Sequence, residues 1–212
     1  MRKINLIIIA CILVSLVFWL SDPDLFLEYL AFSLDNFLKG KVWTVITSLF
    51  LHADPLHLIG NMLFLYVFGN TIEEDLGSKK TVGAFFLGGV LSFLLGLFFY
   101  DPATPMIGAS AAIFTLASIV MLLKPLKFSI LLFMPQGLVA ILYFVYNAIA
   151  VYYGSEGNVA YMAHIIGFAI GIPLGMAWSK EWFRNLMITV ALLAVYAVIV
   201  FILFPLVLNL II

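Results

Sequence analysis

Residues 159–178 read VAYMAHIIGFAIGIPLGMAW, twenty positions without a single Asp, Glu, Lys or Arg and with one histidine, His164, near the start. Twenty apolar residues wound as a helix reach across the ~30 Å hydrocarbon core of a bilayer. Gly167, Gly171 and Gly175 follow His164 at i+3, i+7 and i+11, the repeated G-x-x-x-G spacing that lets a second helix backbone come close. The stretch reads as a membrane span made to pack tightly against a partner helix. Its natural partner is the segment carrying Ala111, Thr115 and Ser118, a small-residue face that adjoins Ser110.

Charges, Pro and Gly clusters divide the rest of the chain into apolar runs of spanning length. Seven segments result: 4–20, 57–72, 81–100, 107–123, 135–152, 159–178 and 186–210. The composition agrees, with 65% hydrophobic residues and 10 Lys+Arg against 11 Asp+Glu in 212 residues, where soluble domains run at about 45–50% apolar and about 25% charged. The fold class is therefore all-α, a polytopic transmembrane bundle of seven spans. Two apolar stretches, 25–34 and 42–51, are too short to cross and are placed in or on the membrane face, with Trp43 as an interfacial residue. Residues 128–134 form a similar lead-in, since Pro135 suits the first turn of a helix. The first segment is kept as an uncleaved span, because Ser21-Asp22-Pro23-Asp24 follows it without a small-x-small cleavage site.

Charge and cysteine usage exclude several classes of function. A net charge of −1 with the cations in five pairs along the chain offers no basic patch for nucleic acid. One cysteine, Cys11, rules out a disulfide framework and a Cys-based zinc site, and its apolar surroundings in sequence mark it as a buried hydrophobe. With the N-terminus in the cytoplasm, Arg2, Lys3, Lys79, Lys80, Lys124, Lys127, Lys180 and Arg184 are inside and only Lys39 and Lys41 outside. That eight-to-two split is the one the positive-inside rule favours. It puts the starts of the second, fourth and sixth spans on the outer side.

At those starts lie polar residues that a membrane interior does not accept without a reason. His57 and Asn61, four apart, stack on one face of the second span. Ser110 opens the fourth span just after Gly108, and His164 lies five residues into the sixth. Each has an ordinary structural reading: a serine that bonds back to its helix, a solvated histidine, an asparagine that ties helices together. Together they occupy one depth on one side. Close packing of the glycine stripe on the fourth span would bring His164 within reach of Ser110, the arrangement a hydroxyl nucleophile needs to lose its proton. The N-terminal N–H groups beside Ser110, with Asn61 and His57, would then supply oxyanion donors. No carboxylate lies in any span near the pair, so the pattern supports a Ser/His dyad rather than a triad with Asp or Glu.

The residues resemble the rhomboid family of intramembrane serine proteases. The matching strings are His52-Ala53-Asp54-Pro55-Leu56-His57-Leu58-Ile59-Gly60-Asn61 (H-x4-H-x3-N), Gly108-Ala109-Ser110-Ala111-Ala112-Ile113-Phe114 (G-x-S-G around the nucleophile) and Ala163-His164-Ile165-Ile166-Gly167 continuing to Gly171 (A-H-x2-G-x3-G). Glu73 and Gly77 match a further element, and the resemblance covers about residues 40–178. It implies Ser110 as nucleophile, His164 as general base and acid, and His57, Asn61 and the Ser110 backbone N–H as the oxyanion hole. Phe114 is implied as the aromatic packed on His164, with Gly108, Gly167 and Gly171 as supporting positions. Ala111 departs from the Gly that follows the nucleophile, and Thr44 from the Arg that often follows Trp43. The whole chain, 1–212, then reads as a single transmembrane domain, a six-helix core over about 4–178 with 186–210 as an additional C-terminal span.

The implied activity is hydrolysis of a peptide bond in or next to the transmembrane segment of a single-pass membrane protein, near the outer face of a cell membrane. It calls for no cofactor and no metal. Lateral access beside 135–152, and water arriving under the loop 153–159 with Gly154 and Gly157, complete the expectation. Two rival readings stand beside it. One is a catalytically inactive rhomboid-like protein that binds membrane clients, which the Ala111 departure keeps open. The other uses His57 and His164 as haem or metal ligands.

Overall fold

A backbone in lipid must satisfy its polar groups within its own segment, and all seven expected spans are helical in the computed structural model, which describes residues 2–154 and 160–211. Helix α1 covers Lys3–Leu20. Between it and the next span, three short helices, α2 (Pro23–Leu30), α3 (Leu34–Leu38) and α4 (Thr44–Thr47), and a 3₁₀ turn (Ser48–Phe50) replace the two apolar stretches expected there. The second span is longer than expected and is not uniform. Helices α5 (Pro55–Phe64) and α6 (Asn70–Leu76) are joined by one π-helical turn, Leu65–Gly69, a wider coil than the apolar pattern announces.

The remaining spans are α7 (Ser78–Gly96), α8 (Ser110–Leu123), α9 (Gln136–Tyr152), α10 (Tyr161–Trp178) and α11 (Trp182–Val198), which runs through a π turn into α12 (Phe204–Ile211). Among the described residues, four helices are long and apolar enough to cross a membrane on their own: Lys3–Leu20, Ser78–Gly96, Tyr161–Trp178 and Trp182–Leu208. The helices α8 and α9 are shorter. Residues 107–109 stay outside α8 because Gly108 has φ +109°, which a right-handed helix cannot contain. The 128–134 lead-in is not helical. Phe128–Ser129 and Met134–Pro135 pair as a two-stranded antiparallel ladder, and Pro135, extended, caps α9 rather than entering its first turn. Val159, the expected start of the sixth span, and Gly157 lie outside the described residues.

Helix α8 is the axis of the bundle, buried without interruption from Ala111 to Leu122. It packs most extensively on α10, and the glycine stripe explains how closely. A Cβ at Gly167 would overlap the Ala111 carbonyl oxygen, and one at Gly171 would overlap Ser118 Oγ and the Thr115 carbonyl. At Gly175 it would sit 2.9 Å from Leu122 Cδ1. The Thr115 hydroxyl donates to the Gly167 carbonyl at 2.8 Å, tying the two helices at the centre of this contact. Cys11 is fully buried, as its sequence context requires.

The opposite end of α8 is where the charges gather. Lys124 pairs with Asp75 at 2.9 Å, and Glu74 pairs with Lys127 at 2.9 Å and Arg2 at 3.5 Å. Its neighbour Glu73 accepts from the Lys3 and Ile4 backbone N–H groups and from Ser78 Oγ, so it caps the start of α1 and fastens it to the turn at Gly77. Ser110 lies the full 14 residues of α8 away from that end, about 21 Å. The seventh span, whose role the sequence leaves unread, closes the same end. Asn185 Nδ2 donates to the Leu122 and Leu123 carbonyls at 2.8 and 3.2 Å, two of the acceptors a helix C-terminus leaves unpaired.

Candidate active site

The loop before α8 is held from three sides. Met106 N donates to the Phe32 carbonyl at 2.7 Å, Gly108 N to the Ser48 carbonyl at 2.9 Å, and Ala109 N to His52 Nε2 at 3.5 Å. His52 is fully buried. With Nε2 accepting, its Nδ1 carries the proton and donates to Ser15 Oγ at 3.1 Å, while Trp19 Nε1 holds the His52 carbonyl at 2.9 Å. Burial, and after it the neighbouring His57 ring, pushes the His52 imidazolium down to about 3. The first histidine of the H-x4-H string is thus a neutral strut that places the residue before Ser110, a role that spacing alone does not disclose.

Gly108 is where the loop meets the second span. Its φ of +109° favours glycine, and a Cβ there would lie 2.9 Å from His57 Nε2 and Cε1 and 3.6 Å from Asn61 Nδ2. The His57 and Asn61 side chains therefore line the space just ahead of Ser110. Asp54 caps α5 by accepting from His57 N at 2.8 Å, and His57 Nδ1 accepts from Ala53 N at 3.4 Å. That leaves the proton of a neutral His57 on Nε2, the nitrogen turned toward Gly108. Asn61 Nδ2 is buried with no hydrogen-bond partner among the described residues, a donor without an acceptor in a structure where nearly all such groups are paired.

Ser110 is the first residue of α8, half-buried, with the unpaired N–H groups of a helix start around it. Its Oγ lies 2.7 Å from His164 Nε2. His164 is buried on α10, and the Phe114 ring stacks on it at 4.6 Å between centroids and 7° between planes. Tyr143 of α9 packs in turn on Phe114 at 4.3 Å between centroids, tilted by 30°. Gly167 and Gly171, one and two turns below His164, make the close approach of α10 that brings the ring to Ser110. What faces Gly167 is the Ala111 backbone carbonyl.

The structure adds one residue the sequence reading passed over. Asn147, in the middle of α9 and 1% exposed, has its Oδ1 2.7 Å from His164 Nδ1. A buried amide in an otherwise apolar span was the available signal. A hydroxyl beside an imidazole, with free donors on the other side and the positive end of a helix beneath, is an arrangement suited to acyl transfer.

Comparison with known proteins places residues 39–181 in the family model of the Rhomboid domain. The RHOMBOID-like protein 12, mitochondrial, of Arabidopsis thaliana is 31% identical over 168 residues, 70% of this chain and 49% of the plant protein. The Rhomboid-like protease 3 of Toxoplasma gondii is 29% identical over 198 residues, 87% of this chain and 71% of its own length. The Rhomboid protease GlpG of Salmonella choleraesuis (strain SC-B67) is 31% identical over 87 residues, 41% of this chain and 32% of that protein. The matched stretch spans between 32% and 71% of the length of these relatives.

Proposed function

The chain belongs to the rhomboid family, and we propose that it is an intramembrane serine protease that cuts a peptide bond in or beside the transmembrane segment of a single-pass membrane protein. The observation that carries the reading is the 2.7 Å contact between Ser110 Oγ and His164 Nε2 in a site with unpaired donors nearby. A serine hydroxyl attacks only as its proton leaves. Ser110 Oγ bonds to the scissile carbonyl carbon while its proton passes to His164 Nε2. The negative charge on the carbonyl oxygen is met by Asn61 Nδ2, His57 Nε2 and the Ser110 N–H. Collapse breaks the C–N bond, the leaving amine takes the proton from Nε2, and an acyl ester remains on Ser110. Water then attacks the ester and gives one proton to Nε2, Ser110 recovers it as the new carboxylic acid departs, and the acid then ionises in water.

A peptide bond inside a helix is shielded, so the substrate segment must unwind locally, and small or helix-breaking residues at the cut favour that. The eight-to-two cation distribution supports an N-terminus in the cytoplasm and Ser110 toward the outer side, and the membrane in this reading is the cell membrane. All of residues 1–212 form one transmembrane domain in this reading. The test is cleavage of a single-pass test substrate in proteoliposomes by wild type, Ser110→Ala and His164→Ala. Both variants are expected to be inactive and folded, with the double variant hardly worse than either, as members of one catalytic unit behave. Wild-type cutting by Ser110→Ala would overturn the nucleophile. An inert wild type would favour the client-binding alternative.

A further inference from the structure

The buried polar group nearest the dyad that the mechanism above leaves unused is the Asn147 amide, and we infer that Asn147 is the positioning residue that fixes the tautomer of His164. The inference rests on the protease reading of Ser110 and His164. Hydrogen-bond bookkeeping at this site has only one solution. The Tyr143 carbonyl can only accept, so the oxygen lying 2.8 Å from the Asn147 amide must face its NH₂ group. Asn147 Oδ1 is then the atom 2.7 Å from His164 Nδ1, and it too can only accept. The proton of the neutral ring is therefore on Nδ1.

That leaves Nε2 with its lone pair, 2.7 Å from Ser110 Oγ, and makes the serine the donor of that bond. The opposite tautomer would point Nε2–H at the hydroxyl and withhold the base. When the Ser110 proton moves to Nε2, the ring becomes an imidazolium and Nδ1–H stays on Asn147, which neither takes a proton nor changes charge. Asn147 thereby does for orientation what a carboxylate does in a Ser-His-Asp triad, without a buried charge. Geometry supports a dedicated role: Asn147 is 1% exposed and both halves of its amide are engaged, one to its own helix and one to the ring.

An asparagine in a membrane bundle also serves as a tie between helices, here α9 to α10, and the test separates the two roles. The full chain in detergent is assayed as wild type, Asn147→Leu and Asn147→Asp for kcat and KM on a single-pass test substrate. The rate of fluorophosphonate labelling and the ¹⁵N spectrum of the histidine rings are recorded alongside. Asn147→Leu is expected to lower kcat and labelling about 10–100-fold, the range found when the partner orienting a metal-bound histidine is lost, with KM within about two-fold, and to shift His164 away from the Nδ1–H form. Asn147→Asp, which keeps the acceptor and loses the tie to Tyr143, is expected to stay within a few-fold of wild type. Labelling unchanged in Asn147→Leu would overturn the positioning role and leave the protease reading standing. So would equal losses in both variants with the His164 tautomer unchanged. Should Asn147→Leu not fold, an Nε2–H tautomer in the wild-type spectrum would overturn it, and an Nδ1–H tautomer would support it. A wild type that takes no label at Ser110 would overturn both.

Discussion

Replacing Gly167 with alanine adds one methyl inside the α8/α10 contact, one turn from His164. The new Cβ would overlap the Ala111 carbonyl oxygen and lie 3.0 Å from the carbonyl carbon, with Ser92 Oγ at 3.2 Å. These first obstacles are backbone, which has no rotamer to yield. Carbon atoms in comfortable contact are ~3.5–4.0 Å apart, so α10 must withdraw from α8 by about 1 Å. Gly167 is one turn from His164. The same withdrawal would stretch the 2.7 Å contact between Ser110 Oγ and His164 Nε2 to about 3.7 Å, beyond hydrogen-bond range. A misplacement of that size costs ~10²-fold in rate, and the overpacked contact ~1–3 kcal/mol in stability. Gly83→Ala is the control, since a Cβ there meets nothing within 4 Å. The assay is kcat on a single-pass test substrate with thermal unfolding in the same detergent. Gly167→Ala and Gly83→Ala with equal kcat would refute the argument that helix approach sets the dyad.

Other expectations follow from single residues. Ala111→Gly should keep proteolysis within a few-fold and lower stability by ~0.5–1 kcal/mol through backbone entropy, read by cleavage and melting; activity gained only on that change would mean the protein is inactive as found. Asn61→Ala, which removes a buried donor with no other partner, should lower kcat by up to ~10²–10³-fold with little change in KM, and a rise in KM alone would place Asn61 in substrate binding. His52 is neutral when folded because burial, with His57 second, lowers it to about 3, while in the unfolded chain it titrates near 6.5. Between these values the unfolded chain binds the extra proton, so stability is lost as pH falls below about 6.5, at up to ~1.4 kcal/mol per pH unit from this group. Denaturation in mild detergent should give a shallower slope for His52→Gln, and identical slopes would contradict the buried-neutral assignment.

The spans were legible because membrane helices announce themselves by unbroken apolar length, and the α8/α10 pair because the stripe of Gly167, Gly171 and Gly175 allows a close helix approach that the small residues Ala111, Thr115 and Ser118 match. Ser110, His57, Asn61 and His164 could be singled out as polar groups at one depth. The approach of His164 to Ser110 was legible in the glycine stripe, but the contact distances were not, since they depend on helix separation and rotation that composition does not encode. The π turn at Leu65–Gly69 went unseen because a coil one residue wider leaves the apolar pattern intact. The hairpin before α9 was hidden by an apolar run with no alternation to betray strands. Asn147 was missed for a different reason: an amide in an apolar helix reads equally as a tie between helices, and its partner His164 is 17 residues away on another helix. His52 belonged to a recognised string, yet its function as a support for Ala109 rests on a loop 57 residues distant.

The central claim is that Ser110 is a nucleophile activated by His164. The most direct test is to treat the full chain in detergent with a fluorophosphonate and locate the adduct by peptide mass spectrometry. A single phosphonyl ester is expected on Ser110 in the wild type and none in Ser110→Ala or His164→Ala. An adduct on any other residue, or one on Ser110 that forms as fast in His164→Ala as in the wild type, would contradict it.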